Sequence, residues 1–134
     1  MSIRRPLRGS AATWESAVER YRRAVERYHE SVWVISDHTL RRELTHVAAP
    51  LDAVLEDLEK AAGRRRAYDP ERGEEVLAFI RRAATLCAHA TEAALMADEA
   101  ARHHEIENVA TCLDTVRVLV KKIDEIGDEA NPPH

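Results

Sequence analysis

The chain is expected to be all-α, an up-down four-helix bundle, and three observations point there. Apolar residues recur at alternating steps of four and three along four separate segments, the spacing that keeps one side of a helix against a neighbour. Ala, Glu, Arg and Leu dominate the 134 residues, and these side chains lose little freedom in a helix. The four Gly and five Pro fall mostly at the ends or in one central stretch, so long runs are left unbroken.

The first stripe is Trp14, Val18, Tyr21, Val25, Tyr28, Val32 and Ile35, with Ser10 or Thr13 placed to cap its start. Glu19 and Arg23, four apart, belong to its charged outer face. The second is Leu40, Leu44, Val47, Leu51, Val54, Leu58 and Ala61. Its phase slips by five residues from Ile35, across Ser36-Asp37-His38-Thr39, which offers three helix caps. Pro50 lies inside this stripe and predicts a kink or shifted hydrogen bonds. Gly63 reads as a helix stop, and Asp69-Pro70-Glu71 as cap, first helical residue and acidic first turn.

The third stripe, Val76, Ile80, Ala83, Cys87, Ala90, Ala94, Ala97 and Ala101, is small after Ile80, so a neighbour can approach closely; Leu77, Phe79, Leu86, Leu95 and Met96 widen it. A second five-residue slip over Arg102-His103-His104-Glu105 precedes Ile106, Val109, Leu113, Val116, Val120 and Ile123, with Gly127 as the expected stop. The expected organisation is a flexible basic arm over 1–10, one helical domain over 11–127 and a flexible tail over 128–134. Neither slip holds Gly or Pro, so a second architecture also fits: two long continuous arms in an antiparallel hairpin that dimerises into a four-helix bundle.

Net charge is −4. Residues 1–67 hold 13 Lys/Arg against 10 Asp/Glu, and residues 68–134 hold 7 against 14, so the halves carry +3 and −7. This offers no global attraction to nucleic acid or anionic lipid, and it allows contacts between opposite halves. No apolar run approaches membrane-spanning length and no export signal is visible, so neither a membrane partner nor export is expected. Two cysteines without metal-ligand or disulfide-framework spacing fit a reducing cytoplasm.

Two Glu-x-x-His segments, Glu26 to His29 and Glu43 to His46, match the spacing that bundle di-iron proteins use, and folding at residues 36–37 brings them to one level. At about 100° per residue, however, Glu26 and His46 point roughly 120–130° away from their stripes, while His29 and Glu43 sit at the margin. Ligands must converge, so no metal or cofactor is expected, and a metal-binding bundle enzyme is kept only as an alternative. The run Arg41 to His46 resembles the Arg-x(4–6)-His motif of HEPN-type ribonucleases. The likeness covers six residues and lacks the polar residue usually found after the Arg; Arg82 to His89 fits the same pattern, and no role is carried over. His103-His104-Glu105 reads as a turn or surface pair at a helix C-terminus. Arg64, Arg65 and Arg66 are the phosphate or nucleic-acid candidates, a second alternative.

The leading expectation is a non-enzymatic helical interaction or scaffold module that associates with itself or another helical protein. Val32-Trp33-Val34-Ile35 covers most of a helix circumference with apolar side chains, so Trp33 and Val34 must leave the intramolecular seam. Val118 and Leu119 do the same on the last helix. Such surfaces are unusual in a monomer and are the expected interface.

Overall fold

The computed structural model describes residues 10–130, all of whose regular structure is helical. The helices are α1 (Ala11–Trp33), α2 (His38–Val47), α3 (Ala49–Gly63), α4 (Pro70–Arg102) and α5 (Ile106–Ala130), with a short 3-10 turn at Arg65–Ala67. α2 and α3 follow one another with a break at Ala48 and are counted as one rod, so four rods share one apolar core. The expected arm lies outside the described residues except for Ser10, as do residues 131–134 of the expected tail.

Local chemistry sets the boundaries. Ser10, Asp37 and Asp69 cap α1, α2 and α4, accepting from the backbone N–H of Thr13, Leu40 and Arg72 at 3.3, 2.9 and 2.8 Å. Both phase slips are turns, which removes the continuous hairpin. The second turn closes without glycine. His104 takes φ 57°, and the N–H groups of Glu105 and His104 bond the Ala100 and Ala101 carbonyls at 2.9 and 3.1 Å. That double bond pattern ends a helix through one left-handed residue, here a histidine. Pro50 lies in the first turn of α3, where its missing N–H costs nothing, and the break precedes it.

Packing follows the stripes. α4 makes its most extensive contacts with α1 and α5, and α3 packs on α1 and α5 from the other side. Small buried residues on α4, from Ala83 to Ala97, allow the close approach. Two buried tyrosines pin α1 to the broken rod: Tyr28 Oη–H donates to the Leu44 carbonyl at 2.8 Å and Tyr21 Oη–H to the Leu51 carbonyl at 2.9 Å. As the number rises on one rod it falls on the other, so these two rods run antiparallel. Near the opposite end, Trp14 stacks on Tyr68 at 5.9 Å between ring centroids. Trp14 Nε1–H is buried and has no acceptor among the described residues.

Two expectations are corrected. Gly127 does not stop the last helix; α5 runs through it to Ala130. Its role is contact: a Cβ there would stand 3.0 Å from Val54 Cγ2 and 3.1 Å from Asp57 Oδ2, so any larger residue would force these neighbours to give way. Residues 128–130 are therefore helix rather than tail, and Ala130 is buried with its carbonyl accepting from Tyr68 Oη at 2.6 Å.

Candidate interaction surface

The two segments of the broken rod meet α5 differently. α3 packs closely on α5, whereas α2 touches it lightly. Val116, Val120 and Ile123 of the last stripe are buried, but Leu113 and Val109 are only half-buried and Ile106 is exposed. The stripe thus emerges from the core toward the α4–α5 turn. Between α2 and α5 lies a half-open cleft of about 360 Å³. Leu40, Ala101, Val109 and Leu113 supply apolar lining, with Asp37, Glu105 and His104 among the polar lining groups. Arg117 on α5 bonds Glu43 on α2 at 3.1 Å, linking the two walls.

On the other side of α2 lies a second depression lined by Trp33, Arg41, Arg42 and His46. Thr39 and Glu43 line both it and the cleft, so they form the ridge between them. Arg41 is held in place by the Ile35 carbonyl and His38 Nδ1, at 3.2 and 2.8 Å. Trp33 is 79% exposed, Val34 71% and Ile106 80%. Three large apolar side chains therefore stand in solvent, Ile106 at the cleft and Trp33 at the depression across α2 from it.

Glu43 and His46 border this surface, and the remaining candidates do not line it. Val118 is 53% exposed on α5, but Leu119 is half-buried and packs against the core rather than adding to an outer patch. Of the Glu-x-x-His residues, Glu26 and His46 are exposed, His29 faces Asp52 at 3.5 Å, and Glu43 is engaged by Arg117. Among the described residues, no three His, Cys, Asp or Glu side chains gather as a metal site. Arg65 bonds the Ala62 carbonyl at 3.2 Å and lines a depression with Glu15, Glu19 and Glu59, while Arg64 and Arg66 are exposed. Those carboxylates would compete with a phosphate for Arg65.

Burial pushes the Cys87 thiol up to about 12. The Tyr21 and Tyr28 phenols rise well above their usual range, first through burial and then through Cys87. These groups are packed and protonated at neutral pH, which suits core side chains rather than nucleophiles. No helix among the described residues is long and apolar enough to cross a membrane.

Sequence reasoning found Trp33 and Val34 but placed Ile106, Val109 and Leu113 in the core. The available signal was their position: they are the outermost members of a stripe facing the short segment before Pro50. Compared with protein-family models, curated proteins and solved structures, the chain matches none.

Proposed function

We propose that this chain is a non-enzymatic protein-interaction module, an up-down four-helix bundle that self-associates through the end carrying the α1–α2 and α4–α5 turns. One observation carries the reading: Trp33, Val34 and Ile106 are exposed, with Trp33 lining a depression on one side of α2 and Ile106 lining a half-open apolar cleft on the other. Exposed aromatic and aliphatic side chains beside a cavity are the usual anchors of a binding surface, because their burial releases apolar area while a pocket fixes their geometry. The mixed charges along α2 and the start of α5 supply the polar rim that interfaces carry. A metal-based reading draws less support, since Glu43 and His29 face Arg117 and Asp52.

Light scattering over a concentration series tests this. The expected mass is twice the 15.1 kDa of one chain, falling toward one chain on dilution, with Trp33→Glu monomeric throughout. A mass of one chain at every concentration, unchanged by Trp33→Glu, would overturn it.

A further inference from the structure

We infer that the partner is a second copy of this chain related by a twofold axis at the α2 ridge, with Trp33 of each copy seated in the α2–α5 cleft of the other. This rests on the self-association proposed above and specifies its geometry.

A twofold contact must be self-complementary: whatever one part of the patch presents, another part of the same patch must receive. The surface has that form. A projecting indole and an apolar cleft lie on opposite sides of one ridge, formed by Thr39 and Glu43. An axis through that ridge carries each indole to the partner's cleft in a single rotation, and both junctions form together.

Charge supports the same pairing. Beside Trp33 stand Arg41 and Arg42 with Glu43, a balance of +1. The cleft is lined by Asp37, Glu43 and Glu105 with Arg117, a balance of −2. The basic flank of the indole therefore meets the acidic mouth of the cleft, which favours this orientation over its reverse. The indole N–H, a donor only, finds carboxylate acceptors at that mouth. The two Glu43 side chains approach near the axis, and Arg117 already neutralises each at 3.1 Å. Full burial of an indole covers on the order of 200 Å² of its surface, so two reciprocal anchors would form the centre of the contact.

The test is complementation in the full-length protein, followed by sedimentation. Trp33→Ala removes the indole, and Ile106→Arg places a cation at the cleft mouth facing the incoming arginines. Both positions are exposed, so the helical fold is expected to persist and circular dichroism checks it. Each variant alone should dimerise at least about tenfold more weakly, the effect of losing a modest anchor. Mixed together, they should regain dimer, because the intact indole of one meets the intact cleft of the other. Val118→Arg, exposed elsewhere on α5, should leave dimerisation unchanged. A wild-type chain that never dimerises removes self-association itself. A wild-type dimer that survives both variants, or variants that fail to complement, or a dimer lost only in Val118→Arg, overturns the reciprocal arrangement and leaves self-association standing.

Discussion

Arg117 on α5 reaches Glu43 on α2 at 3.1 Å and also holds Asp114 at 3.0 Å, so one guanidinium spans two helices that otherwise touch little. Both partners of the cross-helix pair are about half-exposed, which limits its worth to about 0–1 kcal/mol. Between α2 and the start of α5 lies a largely apolar cleft rather than core. The surface proposed for self-association lies along that cleft.

Gly127→Ala sets two effects against each other. Alanine favours helix by about 1 kcal/mol. The new methyl would meet fully buried Val54 at 3.0 Å, and overpacking costs about 1–3 kcal/mol. Asp57 can swing away but Val54 has no room, so a net loss of about 1 kcal/mol is expected in urea unfolding. A gain in stability would show that α5 does not approach α3 as described.

Ending the chain after Gly127 should weaken it. The cut removes the Ala130 carbonyl that accepts from Tyr68 Oη and the Glu129 carbonyl that accepts from Arg72. Leaving the buried Tyr68 hydroxyl without its acceptor costs about 1–3 kcal/mol. A truncated chain that melts with the full-length one would restore the reading of 128–134 as a tail.

His104→Gly should stabilise. A non-glycine residue at φ 57° carries a cost of roughly 1–2 kcal/mol, and the added freedom of glycine in the unfolded chain returns part of it. A gain of about 0.5–1 kcal/mol in thermal or urea unfolding is expected. A loss would mean that the His104 side chain contributes more at the cleft than its backbone costs.

Stability should fall in alkali. Burial holds Cys87, Tyr21 and Tyr28 protonated in the folded chain at pH values where the unfolded chain releases those protons. Their folded values are raised, so the unfolded state binds fewer protons as pH climbs and is favoured. The contribution is intact below about pH 9 and is lost progressively as pH rises through about 12, the folded value of Cys87. Urea midpoints at pH 7.5, 9 and 10.5 should decline in that order, and a thiol reagent should label half-buried Cys112 well before Cys87. A midpoint flat to pH 11 would contradict the burial of these groups.

Most of the fold was legible because apolar spacing and capping chemistry are local. Every member of the first stripe is buried, and Asp69 and Pro70 occupy the positions their chemistry demands. Gly127 was misread because a helix stop and a close helix contact both favour glycine, and only the neighbouring Val54 separates them. Ile106 was misread for a related reason. Periodicity shows which side chains share a helix face, but whether that face is covered depends on the partner rod, and near the α4–α5 turn this one is left partly open. Trp33 and Val34 were legible because four consecutive apolar residues cannot all face one seam.

The most direct measurement is acrylamide quenching of Trp33 fluorescence against protein concentration, in a Trp14→Phe background that leaves Trp33 as the single tryptophan and removes the buried Trp14 N–H that lacks an acceptor. Self-association through the turn end requires strong quenching in dilute solution. As concentration rises, quenching should weaken and emission shift to the blue, in step with the doubling of mass. Quenching that stays strong at every concentration, whether or not the mass doubles, would contradict it.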